Sequence, residues 1–585
     1  GFAMSSGVRN TLIGALAGDA LTTGVDSVAV GHNALGALTI GHNNVAVGKS
    51  ALSTSVDGDY NVAVGYEALK VYEDGDGNGF NTAIGAKAMS ATTTGEYNTS
   101  LGYLSMGVGI TTGNQNTAIG YYAGANVSTG AENVIIGSYA ADALTTGSYN
   151  IAIGYQALST EDGHGRNVAI GYQALLTQDA GADAYNTAIG FYAGKAVTTG
   201  SQNTLVGGLA GDALTTGASN IAIGLLALSG EDTGGRNIAI GYGALRVQDY
   251  DGNGYNVAIG YDAGTAVSTG IQNTLIGGLA GDSLTTGNYN IAIGYQALST
   301  EDAHGKNVAI GRGALYAQDA GADAYNVAIG YQAGVAVTTG TVNTIIGGLA
   351  GDALTTGTRN TAVGAFALST EDAHGNNTAF GYQALLTLNA GAEGYNVAVG
   401  VDAGRLMTTG VTSVLIGAFA GDSLTTGSSN VAIGYAALST EDTGGQSIAI
   451  GEGALQVQNN DANNHNIAIG HHAGHAITNG LRNIVMGGLA GDALTTGANN
   501  IAIGHEALGT EVAGGRNTAI GYQALKTSNY DGNAYNTAVG FEAGKAVTTG
   551  QGNVLVGGLA GDAINSGSGN VCIGNQAGSA ISTAS

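Results

Sequence analysis

Apolar and polar positions follow a short pattern that recurs about every 17 residues. The pattern is Asn, a β-branched residue or Thr, Ala, Ile or Val, Gly, two variable residues, Ala, and then Leu or Gly. In the copy that starts at Asn186, Thr187 and Ile189 lie on one side of an extended segment and Ala188 on the other. A short β-branched run bounded by glycine predicts a strand, and apolar or small residues on both sides are typical of burial on both faces. The second arm, 196–200, mixes apolar residues with hydroxyls and predicts a second strand with one wetter face.

The pattern has a higher period of 70 residues, made of steps of 17, 17, 19 and 17. Counting every copy gives 33 rungs. We therefore divide the chain into irregular N-terminal β-solenoid rungs (1–132), six 70-residue super-repeats of four rungs (133–552), and the final rungs with the C-terminal end (553–585). A fixed period of this kind indicates stacked repeats that need no single large core.

Stacking equivalent rungs places identical residues above one another, which predicts an all-β, parallel β-solenoid with about 17 residues per rung. With strands ~4.8 Å apart, the 33 rungs would form a rod on the order of 160 Å long. The head asparagines are predicted to form a hydrogen-bonded ladder along the stack. An isolated turn made by each asparagine is the alternative.

The central alanine of each strand suggests a close neighbour. A small residue that recurs along one stripe is what the close approach of another backbone requires, so we expect a sister chain against the alanine side in a cyclic homo-oligomer. The alternative is a monomer whose coil is flattened, with the alanines on a tight inner face.

Composition narrows the class of partner. The 585 residues carry a formal net charge of −26, which argues against nucleic acid or an anionic membrane surface. The single Cys572 excludes an intrachain disulfide and is predicted to be a small buried hydrophobe. No apolar run reaches the ~20 residues that a membrane-spanning helix needs, and no signal peptide is visible. Because the chain begins Gly1-Phe2, we expect a processed chain or a fragment, with flanking domains or neighbouring molecules covering its ends.

The pattern Asn-Thr-Ala-Ile-Gly-Tyr-x-Ala, as at 517–524, resembles the YadA-like head repeats of trimeric autotransporter adhesins, and similar repeats occur in phage fibres. The resemblance covers nearly the whole chain. It implies a left-handed parallel β-roll, three copies of which pack into a trimer. The rung here is longer than is typical of that family, and neither a heptad stalk nor a membrane anchor is present, which leaves a phage fibre or another surface filament open.

Two recurring loops alternate Asp or Asn with Gly, as in the first half of a calcium loop, where oxygens on every second residue converge on a hard cation. The bidentate glutamate of such a loop is missing, and a solvated turn is the alternative. The candidate calcium ligands are Asp74, Asp76, Asn78, Asp249, Asp251 and Asn253.

Two further features suggest surface chemistry. Glu161-Asp162-Gly-His164 has counterparts at 301–304 and 371–374, where a metal or catalytic role would need three chains to bring their histidines together; a solvated acidic edge is the alternative. The 28 tyrosines cluster beside the strands and suggest structural packing or a carbohydrate-binding face. No catalytic residue and no cofactor other than calcium is predicted.

These observations predict a non-enzymatic extracellular fibre or adhesin on a cell or virion surface. Its partners would be further copies of itself, most simply in a homotrimer, and a host-surface glycan or protein, without nucleic acid and without membrane insertion by this segment. The alternative is a phage tail fibre or tailspike that binds or cleaves polysaccharide. Cleavage needs two carboxylates in distinct environments, and the irregular region 27–116 holds no convincing pair.

Overall fold

The computed structural model describes residues 3–73, 75 and 77–582, and the chain divides into two compact units, Gly1–Asn290 and Ile291–Ser585. Each unit is built from three-residue strands, one per rung. The described residues contain no helix, and hence none long and apolar enough to cross a membrane. The unit boundary does not bear on the sequence divisions at 132 and 552, which remain an interpretation of the repeats.

The first unit contains sixteen strands among its described residues. They are β1 (Thr11–Ile13), β2 (Val28–Val30), β3 (Val45–Val47), β4 (Val62–Val64), β5 (Thr82–Ile84), β6 (Thr99–Leu101), β7 (Thr117–Ile119), β8 (Val134–Ile136), β9 (Ile151–Ile153), β10 (Val168–Ile170), β11 (Thr187–Ile189), β12 (Thr204–Val206), β13 (Ile221–Ile223), β14 (Ile238–Ile240), β15 (Val257–Ile259) and β16 (Thr274–Ile276).

The second unit contains seventeen strands in the part of it that the structure describes. They are β17 (Ile291–Ile293), β18 (Val308–Ile310), β19 (Val327–Ile329), β20 (Thr344–Ile346), β21 (Thr361–Val363), β22 (Thr378–Phe380), β23 (Val397–Val399), β24 (Val414–Ile416), β25 (Val431–Ile433), β26 (Ile448–Ile450), β27 (Ile467–Ile469), β28 (Ile484–Met486), β29 (Ile501–Ile503), β30 (Thr518–Ile520), β31 (Thr537–Val539), β32 (Val554–Val556) and β33 (Val571–Ile573).

Within each unit, every strand pairs in parallel with the next strand along the chain. Val168 of β10 lies opposite Thr187 of β11 and Ala169 opposite Ala188, and in the second unit Val308 of β18 lies opposite Val327 of β19. Equivalent positions of successive rungs are therefore neighbours in space. The predicted all-β parallel β-solenoid with about 17 residues per turn is confirmed.

The second arm of the rung is not a strand, so that prediction was wrong. Residues 196–200 form turns and bends. The backbone N–H groups of Thr198 and Gly200 both donate to the carbonyl of Thr215, at 2.9 and 3.2 Å. A parallel ladder needs evenly spaced bonds to successive acceptors, and two donors that share one carbonyl cannot continue it. The arm still bonds to the next rung, but through single contacts.

The central strand residue faces the inside of its own coil. Ala188 is completely buried within the chain, whereas Thr187 is half-buried and Ile189 is 38% exposed on the opposite side. The central residue is buried in the same way in every described strand after β1, and Cys572 occupies this inner position in β33. The expectation that a sister chain lies against the alanines was therefore wrong, because the alanines lie on a tight inner face of their own coil. Alanine recurs because the coil is narrow.

The interior accommodates a similar side-chain volume in rungs of different sequence. In the rung of β9, Ala152 is the inner strand residue and Leu158 fills the space from the far arm, and both are buried. In the rung of β12 the inner strand residue is Leu205, and the far-arm position is Gly211. A Cβ added to Gly211 would lie 2.7 Å from Leu214 Cδ1 and 2.8 Å from Leu205 Cδ2, so these two buried leucines leave no room for a third.

A glycine ends each strand because the next rung approaches too closely for a side chain. Gly190 has a φ of 143°, which side chains disfavour, and a Cβ there would lie 2.4 Å from the carbonyl oxygen of Gly207. The strand is therefore limited to three residues.

The head asparagines form the predicted ladder along the stack. The backbone N–H of Asn203 donates to Asn186 Oδ1 at 2.9 Å, and Asn203 Oδ1 accepts from the backbone N–H of Asn220 at 2.9 Å. Asn203 Nδ2 also donates to the carbonyl of Gly217 at 2.9 Å, at the end of the same rung. One buried side chain thus links its rung to the next and closes the rung on itself.

We expect Asn203→Ala to weaken the stack locally. The substitution leaves the N–H of Asn220 and the carbonyl of Gly217 without their partner, at roughly 1–3 kcal/mol for each buried group. Amide exchange of the peptide 203–220 should accelerate. Asn203→Ser should have a smaller effect, because Ser413 occupies an equivalent position and its Oγ accepts from Asn430 N–H at 3.3 Å. Wild-type exchange in the alanine variant would contradict this role.

Leu205→Ala and Gly211→Leu should each destabilise the fold as single substitutions. Leu205→Ala leaves a cavity and should cost about 2–5 kcal/mol, and Gly211→Leu overpacks the interior and should cost about 1–3 kcal/mol. The double variant reproduces the pair Ala152 and Leu158 and leaves Leu214 where the β9 rung has Glu161, so its loss in free energy of unfolding should be less than the sum because the first substitution makes part of the space that the second needs. Urea unfolding of the four proteins measures this cycle. Strict additivity would show that the two positions do not share one interior space.

Candidate functional site

The outward side of the strands is an uncharged strip. In each described strand the first and third residues point away from the interior, and all of them are Thr, Val, Ile, Leu, Met or Phe. Many of these side chains are substantially exposed; Ile189, for example, is 38% exposed and Phe380 is 54% exposed. The sequence interpretation assigned the contact face to the alanines, and the structure places the exposed apolar face on the opposite side of the same strands.

A row of aromatic rings follows one edge of this strip, just after the strand-end glycines. In the first unit Tyr155 stacks on Tyr172 with centroids 5.2 Å apart, and Tyr172 stacks on Phe191 at 5.5 Å. In the second unit Tyr522 stacks on Phe541 at 5.3 Å. The rings pack against one another, as predicted for structural packing, and they remain partly exposed.

A second aromatic row follows the other edge, just before the head asparagines. The guanidinium of Arg166 lies 5.8 Å from the ring centroid of Tyr149 and 5.4 Å from that of Tyr185. Its Nη1 also lies 2.8 Å from a carboxylate oxygen of Asp183. We call the outward strand residues together with these two aromatic rows the outer face.

The acidic segments differ from the predicted solvated edge. Glu161 is completely buried, and its Oε1 accepts the backbone N–H of His164 at 2.9 Å, whereas the neighbouring Asp162 is exposed. The solvated-edge interpretation was wrong for the glutamate, because this side chain turns inward to bond the backbone of its own turn. The repeats already indicated that the glutamate is buried. Glu occupies all six equivalent positions, whereas the residue after it changes from Asp to Val at Val512.

The predicted calcium loops are placed as follows. Asp249 has a carboxylate oxygen within 4.8 Å of those of Glu231 and Asp232 in the preceding rung. Asp251 accepts from Thr233 Oγ1 at 3.2 Å, Asn253 pairs with Gly235, and Asn78 pairs with Asp59. Asp74 and Asp76 lie outside the described residues. Calcium binding by these loops remains a prediction.

The cluster around Glu231 is electrostatically strained. The Glu231 side chain is fully buried and its Oε2 has no hydrogen-bond partner, although Oε1 accepts from Gly234 N–H at 2.7 Å. Burial, assisted by the nearby aspartates, raises its pKa from 4.5 to about 7. Desolvation and the charge of Asp232 also raise the pKa of Asp249. Between about pH 4.5 and pH 7, Glu231 therefore retains a proton that an ordinary glutamate would release.

Comparison with protein-family models and with curated proteins finds no match for this chain, so its function is argued from the geometry and from the resemblance of its repeats.

Glu231 should make stability depend on pH. Its folded pKa lies above its ordinary 4.5, so it stabilises the fold fully below about pH 4.5 and this contribution is lost as the pH rises through about 7. Glu231→Gln stays neutral throughout. The melting temperature of the variant relative to wild type should therefore increase between about pH 4.5 and pH 7.5. A difference that is constant over this range would contradict the raised pKa.

Proposed function

We propose that this chain is a non-enzymatic extracellular fibre or adhesin segment that assembles with further copies of itself through the outer face. The assembly proposed is a homotrimer of left-handed β-rolls, as the resemblance to trimeric adhesin heads implies. It acts at a cell or virion surface as a stiff, repetitive spacer that presents a binding surface to a host glycan or protein.

The observation that carries the proposal is the absence of charge from the outward strand positions of the described residues, in a chain with a net charge of −26. Contiguous exposed apolar surface of this extent is typical of an interaction site rather than of a solvated surface. The charges lie elsewhere on the coil, where they keep assembled copies soluble.

A second copy is the partner that fits this surface best. The outward positions repeat with the rung, so two copies of the chain match each other at the same spacing along the whole contact. A partner without this period could match only a few rungs. Identical uncharged surfaces meet without the repulsion that the acidic parts of two chains would experience. A cyclic arrangement gives every copy the same environment.

A phage tail fibre or tailspike that binds polysaccharide is the second candidate, and the exposed aromatic row of Tyr155, Tyr172 and Phe191 favours it. Tyrosine offers an apolar ring and a polar tip, both of which sugars contact. Incubation with capsular or host polysaccharides distinguishes the two activities: retention of the polymer indicates binding, and shortened chains indicate cleavage.

The proposed assembly predicts a mass in solution close to three times the 57.3 kDa chain, measured by light scattering. Ile189→Glu with Ile329→Glu places charge on two outward strand positions and should lower the mass or make it dependent on concentration. Ala182→Glu with Ala322→Glu is the matched control, because these exposed loop residues precede the same two strands. A monomeric wild-type chain would overturn the proposal.

A further inference from the structure

Four side chains with metal-binding atoms meet beside the turns that follow β9 and β10. They are Glu161, Asp162, His164 and Asp179, and one ligand atom from each lies within 4.8 Å of all the others. Glu161 is completely buried, His164 is about one third exposed, and the two aspartates lie at the surface. The cluster is thus anchored from inside the coil and open to solvent on one side.

Two atoms of the cluster lack a hydrogen-bond partner although they are buried. The first is Glu161 Oε2, which accepts no hydrogen bond. The second is His164 Nδ1, which makes none either. The other carboxylate oxygen, Oε1, lies 3.6 Å from Nδ1, which is too far for a hydrogen bond. An unsatisfied buried carboxylate oxygen is costly, and an imidazole nitrogen beside it without a partner adds to the cost.

The equivalent glutamate of another super-repeat shows what a purely structural carboxylate looks like here. Glu511 has a glycine, Gly514, at the position of His164. Its Oε1 accepts from Gly514 N–H at 2.8 Å and its Oε2 accepts from Ser528 Oγ at 2.8 Å. Both oxygens are satisfied by the protein, and no histidine is present.

A third super-repeat satisfies its glutamate differently, again without histidine. Glu441 Oε2 accepts from Gln458 Nε2 at 2.9 Å and from Asn464 Nδ2 at 2.8 Å. In the Glu161 cluster, alanine, Ala184, replaces the asparagine, and Gln178 Nε2 donates instead to the carbonyl of Thr198 at 3.0 Å. The donors that satisfy Glu441 Oε2 are therefore absent at Glu161, where His164 stands in place of Gly444.

We propose that Glu161, Asp162, His164 and Asp179 bind a divalent transition-metal ion of the Zn²⁺ class. A tetrahedral zinc site with bonds of about 2.0–2.1 Å separates its ligand atoms by about 3.4 Å, close to the 3.6 Å between Glu161 Oε1 and His164 Nδ1. The two exposed aspartates each have a carboxylate oxygen within 4.8 Å of the other ligand atoms. A neutral imidazole with carboxylates favours zinc and its neighbours over Ca²⁺, which prefers oxygen ligands alone.

Burial raises the pKa of the Glu161 carboxyl above its ordinary value. The first three residue types recur at Glu301, Asp302 and His304 and at 371–374. The position of Asp179 is taken by Asp319 in the 301–304 copy and by Asn389 in the 371–374 copy. All four residue types are therefore present in the 301–304 copy, whereas the 371–374 copy lacks the second aspartate.

The test uses the full chain with Zn²⁺ alone as the probe. Equilibrium dialysis measures its affinity and stoichiometry, and amide exchange with mass spectrometry reports on residues 161–165. Zinc should slow exchange of this peptide in wild type. Glu161→Gln and His164→Gln should each remove that protection and lower the affinity of the tightest site by roughly tenfold or more, since even outer partners of metal ligands contribute 10–100-fold.

Glu511→Gln is the matched control, because it alters the same buried position in a rung without histidine; it should leave zinc protection of residues 161–165 unchanged. Exchange of this peptide that is identical with and without zinc in the wild-type chain would overturn the proposal without relying on any variant. Protection that persists in Glu161→Gln, or that Ca²⁺ produces equally in wild type and His164→Gln, would also overturn it.

Discussion

The buried hydrogen bonds of the head asparagines are the constraint on which the rest of the structure depends. A strand of three residues offers too few ladder bonds to fix its own register, and the second arm adds only single contacts. Asn203 adds two side-chain bonds that reach the next rung and close its own. Because these groups are buried, a slip of one residue would orphan them all at once, and register is therefore set rung by rung.

Once the register is fixed, the width of the coil determines where apolar side chains go. Most rungs place alanine across from leucine, or leucine across from glycine, and Ile135, Ile345 and Val485 take the inner strand position in three others. Where alanine takes the inner position, the β-branched residues that favour the strand lie on the outward side. A narrow solenoid with stable strands consequently exposes apolar surface. This surface is a product of the same constraint that gives the stack its regularity.

Much of this fold could be predicted from the sequence, because a period in residue type becomes a period in space. The strand positions, the parallel register, the strand-end glycine and the asparagine ladder all follow from it. Which face of the strand points inward could not be predicted. Thr187, Ala188 and Ile189 are apolar or small on both faces, so their alternation does not distinguish the inner face from the outer one. Burial of Glu161 was missed because neighbouring acidic residues suggested solvent, whereas a hydrogen bond to the backbone three residues on holds the side chain inward.

In a stack of repeats, each departure from the pattern can be compared with an equivalent position that keeps it. The glutamates at 161, 441 and 511 share one backbone position, so differences between them reflect only the side chains around them. Two of them have both carboxylate oxygens satisfied by neighbouring donors, and the one beside a histidine does not. Glu231 also has an unsatisfied oxygen although no histidine lies beside it, so the missing hydrogen bond alone marks no site. At Glu161 the unsatisfied carboxylate lies beside an imidazole nitrogen that is also buried without a partner, and this combination indicates chemistry that the fold itself does not require.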